Sequence, residues 1–136
     1  MRRLADGRPR SARQRPQADR GAATVEIVGY MTVVIVLLFL GVQLVMWAAA
    51  SYGARLAADE AAQAARVFGA TADTGRAEAE LMLTTVVGRK LRDPQVTVTR
   101  TATTVTVHIS GHASRIVPGL DLPVSVTVTA PVERTT

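Results

Sequence analysis

The chain has no cysteine and two histidines, and aromatic residues make up 4% of its 136 residues. Without cysteine there is no disulfide framework, no thiol nucleophile and no cysteine-bound metal. A small domain of this kind must be held by packing or by assembly with partners. The two histidines, His108 and His112, fall in a strand-like pattern. Residues four apart along a strand are roughly 13 Å apart, too far to share one metal ion. Ser110, His108 and Asp121 supply the residue types of a hydrolytic triad, but no nucleophile elbow surrounds the serine. Gly-rich phosphate-binding loops are missing too. The expectation is a protein that is not an enzyme, with no catalytic residues, no metal and no cofactor.

What the chain does have is a long uncharged stretch. Residues 27–50 carry no charge, and Thr32 and Gln43 are the clearly polar positions among them. As a helix this stretch rises roughly 36 Å, against about 30 Å for the hydrocarbon core of a bilayer. Core helices of soluble proteins rarely run so far without a charge. The reading is a membrane-spanning helix.

Charge is distributed to match. The net charge is +5, and residues 1–20 hold seven arginines against Asp6 and Asp19, so 7 − 2 = +5. The remainder balances, nine basic residues against nine acidic. Positive charge beside a spanning helix stays on the cytoplasmic side. A nucleic-acid-binding tail would also be basic, but no aromatic residue interleaves with these arginines, and no nucleic-acid partner is expected. With Pro9, Pro16 and little apolar content, residues 1–20 read as a disordered arm.

The helix need not end with the membrane. Alanine, the best helix former, dominates residues 48–68, and one continuous helix over 22–68 is expected. Ala50, Ala54, Ala58 and Ala62 recur every fourth residue. They form either a small-residue stripe that admits a second helix at close range or a sample of an alanine-rich composition. Gly69 to Gly75 then punctuates the chain. Asp73 or Thr74 is expected to cap a second helix running to about Arg92, with Ala77, Leu81, Thr84, Gly88 and Leu91 on one face. Asp93-Pro94 would stop it.

After residue 94 the period changes from 3.6 to 2. Val96 and Val98, then Val105, Val107 and Ile109, then Val124, Val126 and Val128 alternate with Thr, Ser and His. This is the pattern of three half-buried strands with an aliphatic face and a hydroxyl face. The short first connection favours a hairpin, and Pro118-Gly119 marks a turn in the second. Three strands alone are marginal, so helical cover is expected. The fold class is therefore a membrane-anchored α+β chain: a long N-terminal transmembrane helix, a second helix and a small three-stranded antiparallel sheet. Its parts are a basic cytoplasmic leader (1–21), a transmembrane helix with an extracytoplasmic extension (22–68), and an extracytoplasmic helix plus β-meander (69–136).

The segment Arg20-Gly21-Ala22-Ala23-Thr24-Val25-Glu26 stands directly ahead of the apolar run. A carboxylate at the start of a spanning helix is a functional candidate with a partner to be found. As a helix N-terminal carboxylate it would also suit the macrodipole and offset the arginines. If the chain were cut after Gly21, the new α-amine on Ala22 would lie one helical turn from Glu26.

A basic leader ending in glycine, a small residue, a glutamate five positions on and an apolar helix resemble the processing signal of type IV pilins and pseudopilins. The best match is the TadE-like proteins of tight-adherence (Flp-type) pilus systems. Residues 95–130 are similar to that family's threonine- and valine-rich tail. Ile27 stands where the family often has an aromatic, and Tyr30 is three positions further on. The resemblance implies that a prepilin peptidase cuts between Gly21 and Ala22 and that Glu26 guides subunit registry. It implies a minor pilin or pseudopilin that associates through its N-terminal helix with its own kind or with other pilus or secretion-apparatus subunits. Two other readings compete. One is an unrelated single-pass membrane protein tethering an extracytoplasmic interaction domain. The other is an ordinary secretory leader cut at Ala48-Ala49-Ala50-Ser51, although its apolar stretch would be longer than the usual 7–15 residues.

Overall fold

The structure is a computed structural model and describes residues 18–133. Helix α1 (Ala18–Arg66) is followed by α2 (Ala72–Met82), a π-helical turn (Leu83–Val87) and a 3₁₀ turn (Gly88–Lys90). Strands β1 (Leu91–Arg100), β2 (Thr104–Ala113) and β3 (Pro123–Pro131) complete the order. They form one antiparallel sheet, β1-β2-β3, with β2 in the centre. This is the α+β arrangement that the two periodicities predict. Residues 1–17 of the arginine-rich arm lie outside the described residues.

The chain divides into two compact units, Met1–Ile35 and Val36–Thr136. The described part of the first is helix, and every side chain from Thr24 to Ile35 is exposed there. Valine and isoleucine dominate that surface.

The second unit holds the core. On α1, Ala50, Ala54, Ala57, Ala58, Ala61, Ala62 and Ala65 are buried, at the three- and four-residue spacing of one helix face. Opposite them the sheet supplies its aliphatic rows. Val96 pairs with Ile109, which pairs in turn with Val126, and Val98 pairs with Val107, which pairs with Val128. Val105, Val107 and Ile109 on the central strand are completely buried. The other face carries rows of hydroxyls and both imidazoles, including Thr97, His108 and Thr127 in one row. β-branched residues alternating with threonine suit such a half-covered sheet.

Helix α1 ends at a defined stop. Gly69 takes φ +78°, which only glycine adopts without strain. The freed carbonyls are taken up by side chain and strand. Arg100 donates to Ala65 O at 2.8 Å and to Val67 O at 3.4 Å, and the Glu133 amide donates to Arg66 O at 3.0 Å. A guanidinium at a helix C-terminus also meets the negative end of the macrodipole.

The second helix differs from the sequence expectation in three ways. Its cap is Thr71, whose side chain accepts from the Thr74 amide while Thr74 reaches back to the Thr71 amide. Neither Asp73 nor Thr74 is the cap, because the reciprocal threonine pair satisfies two orphan donors at once. Its buried face is Gly75, Ala79, Leu83 and Val87, whereas Ala77, Leu81, Thr84 and Gly88 are exposed. Close approach to α1 selects that face. A Cβ on Gly75 would lie 2.8 Å from Ala65 Cβ and 2.9 Å from Ala61 O. The helix also gives way to strand at Leu91, before Asp93-Pro94. Those two residues form a bulge in β1, where the register with β2 shifts between Arg92 and Gln95 and Asp93 takes φ +49°.

Candidate functional site

The N-terminal motif lies on one stretch of α1. Gly21 and Ala22 fall in its first two turns, and Glu26 follows one turn later. Gly21 is exposed, and nothing lies within 4 Å of where its Cβ would be. Glycine inside a helix costs about 1 kcal/mol relative to alanine, so the turn around the Gly21-Ala22 bond is intrinsically easy to open. Glu26 is exposed, and Tyr30 donates its hydroxyl to Glu26 Oε1 at 3.2 Å. This intrahelical pair spans i to i+4, the spacing at which helix side chains meet. Tyr30, noted in the sequence for its displaced position, is thus the carboxylate's hydrogen-bond partner.

The alanine stripe belongs to the second unit. Ala50, Ala54, Ala58 and Ala62 are between 0 and 1% exposed, and they join one core cluster with Leu83, Val87 and the sheet valines. The close approach that small residues permit is taken up within this chain, by α2 and the sheet. The surface of α1 that stays open in this unit is its larger apolar side chains, including Phe39, Leu44, Val45 and Tyr52.

Sequence reasoning passed over Gln43, recording it only as a polar interruption. It is fully buried. Its Nε2 donates to Ser114 O at 3.2 Å, and its Oε1 accepts from the Ile116 amide at 2.8 Å and the Val117 amide at 3.2 Å. One turn on, the Trp47 indole N–H donates to Pro123 O at 3.0 Å. The two side chains fasten both ends of the β2–β3 connection to α1. The signal was available: a lone amide in a long apolar run is costly unless something satisfies it, so its position marks where the chain covers its own helix.

The triad types are not assembled. His108 Nδ1 lies 2.9 Å from Thr127 Oγ1 across the sheet, and Asp121 pairs with Arg92 at 3.9 Å. His112 sits at the β2 end, in register with Pro123. Among the described residues no three His, Asp or Glu side chains are grouped as a metal site requires.

Residues 24–66 make one helix long and apolar enough to cross a membrane. No family model, no curated protein and no solved structure matches this chain.

Proposed function

We propose that this chain is a pilin-like structural subunit, a TadE-like minor pilin or pseudopilin that contributes to building a tight-adherence type IV pilus. In this reading α1 holds the unprocessed chain in the cell membrane as a single pass. The arginine arm is cytoplasmic and the second unit extracytoplasmic, as the charge asymmetry requires. A prepilin peptidase cuts between Gly21 and Ala22 and frees the helix for assembly with other pilus or secretion-apparatus subunits.

The observation that carries the proposal is the placement of Gly21, Ala22 and Glu26 on the first turns of a helix whose following turns are apolar and exposed. A carboxylate near hydrocarbon is costly when unpaired. Tyr30 gives Glu26 a neutral partner before cleavage. After cleavage the Ala22 amine, on the same or a neighbouring subunit, offers a charged one. That exchange links processing to assembly.

The test is to express the full chain with a prepilin peptidase and sequence its mature N-terminus. The wild-type chain and Glu26→Gln should begin at Ala22, and Gly21→Leu should keep its leader. Glu26→Gln should be processed and then fail to assemble. A start at Met1 in every case, with assembly indifferent to both changes, would sink the proposal. A start at Ser51 would do the same in favour of secretion, but such a cut removes Gln43 and Trp47 and their bonds to the β2–β3 connection. The other reading, a tethered interaction domain, draws on the sheet's exposed hydroxyl face and the free outer edges of β1 and β3. It predicts an unprocessed chain that still captures a partner through those edges.

A further inference from the structure

We infer that the β2–β3 connection is a lipid-dipping foot, whose apolar tip enters the outer leaflet beside α1 while a basic collar meets the phospholipid headgroups. The inference rests on reading α1 as a membrane span, and it assigns that span an upper boundary.

Depth along the helix comes first. Gln43 holds the connection at Ser114, Ile116 and Val117. Beyond those bonds the tip turns along α1 toward its N-terminus. Ile116, Val117 and Pro118 face Val36, Phe39 and Leu40 across a groove of about 260 Å³. These helix positions lie three to seven residues below Gln43, roughly 5–10 Å at 1.5 Å per residue. That matches the depth to which interfacial apolar segments sink, about 5–10 Å. The groove lining is almost wholly apolar, and Ile116 remains 42% exposed beside it. An apolar tip against an apolar helix, both open to the surroundings, fits acyl chains and not water.

Charge gives an independent indication. The Ser114 amide donates to Lys90 O at 2.9 Å and its hydroxyl to Arg89 O, so the turn after α2 sits at the root of the foot. Arg89, Lys90, Arg92 and Arg115 are all exposed around that root, against Asp93 and Asp121. Asp121 is already paired with Arg92. The collar is net positive, and it lies at the level of Gln43 while the tip lies below. Cations above an apolar tip suit anionic headgroups above acyl chains. Trp47 bonds the far end of the connection with its ring partly exposed, as indoles sit at membrane interfaces.

If Gln43 marks the headgroup boundary, the lipid-covered helix is residues 24–42. About 19 residues rise roughly 28 Å, close to the 30 Å of a hydrocarbon core. The alanine-rich part of the apolar run then belongs to the domain and not to the bilayer.

The chain's lack of cysteine allows a direct test. The full chain carrying Ile116→Cys, Val34→Cys or Thr127→Cys is labelled with an environment-sensitive fluorophore. Each is reconstituted in vesicles of mixed phosphatidylcholine and phosphatidylglycerol containing lipids brominated near the top of the acyl chain, which reads position 116, or in a parallel set near its end, which reads position 34. The expected result is quenching at positions 116 and 34 and none at 127, which lies on the outer sheet face. Quenching at 34 with none at 116 overturns the foot and leaves the span standing. No quenching at 34 removes the span and the foot with it. A label at 116 shielded both from brominated lipid and from aqueous iodide means that another protein chain fills the groove, which also overturns the proposal. Arg115→Glu combined with Lys90→Glu should weaken the quenching at 116 in these anionic vesicles and leave position 34 unchanged; no change at 116 overturns the collar's part.

Discussion

Single residues decide several features of this chain through polar groups that have few alternatives. Gln43 is the clearest. Its amide satisfies one carbonyl and two backbone N–H groups of a connection that has no regular secondary structure of its own. Replacing it with leucine keeps the helix and the volume but strands those three groups. A buried unsatisfied group costs about 1–3 kcal/mol, and part of this connection is open enough for solvent to help. Gln43→Leu should therefore lower stability by about 2–3 kcal/mol. Denaturant unfolding of the chain in micelles checks this, and a midpoint equal to wild type would show that the clamp contributes nothing. Arg100 acts similarly at the other end of the domain, where it closes α1 by donating to the Ala65 carbonyl in its last turn and to the Val67 carbonyl just beyond it.

Among elements, the decisive contact is the approach of α2 to α1. Here the usual helix rule reverses. A glycine-to-alanine change in a helix ordinarily stabilises by up to ~1 kcal/mol. At Gly41 nothing lies within 4 Å of the added methyl, so Gly41→Ala should follow the rule. At Gly75 the methyl would meet a backbone oxygen at 2.9 Å and the Ala65 Cβ at 2.8 Å. Backbone cannot swing aside as a long side chain can, so Gly75→Ala should destabilise by about 1–3 kcal/mol. Opposite signs for the two substitutions in one unfolding assay are the expected outcome. The same packing explains why α1 is made of alanine where it meets the core. Alanine carries no rotamer entropy to lose and lets flat partners come close. The sheet then supplies the bulk that the helix lacks, with Ile109 and its valine neighbours filling the space.

At the scale of the molecule, α1 serves two environments in succession. Its N-terminal part presents valine, leucine and isoleucine on all sides, and its C-terminal part buries one alanine face and exposes the rest. The change falls at Gln43 to Ala50 and so begins before the alanine-rich composition does at residue 48. The two positions upstream of the alanines, Gln43 and Trp47, are still part of the folded domain. A chain comprising 41–136 should therefore keep the Ile116 and Val117 amides protected in hydrogen exchange, and one comprising 51–136 should lose that protection first. Equal protection in both would mean that the sheet alone orders the connection.

The sequence by itself determined the element types and their order. Uninterrupted apolar residues without proline specify a long helix, and strict alternation of valine with threonine specifies strands with one buried face, whatever they pack against. It also placed Glu26 one turn after Ala22 on the same helix, since spacing along one helix is a local property, whereas the start of that helix ahead of Gly21, at Ala18 and not at residue 22, is seen only in the structure. Tertiary structure alone decided which face of α2 is buried, because that depends on Gly75 meeting Ala61 and Ala65 of the preceding helix across the turn between them. It decided that Ala50, Ala54, Ala58 and Ala62 face this chain's own core. It decided, too, that a single glutamine holds the β2–β3 connection to the helix. Period and composition report which residues want burial, but the identity of the partner is set by contacts more than seventy residues apart, and no local pattern encodes those.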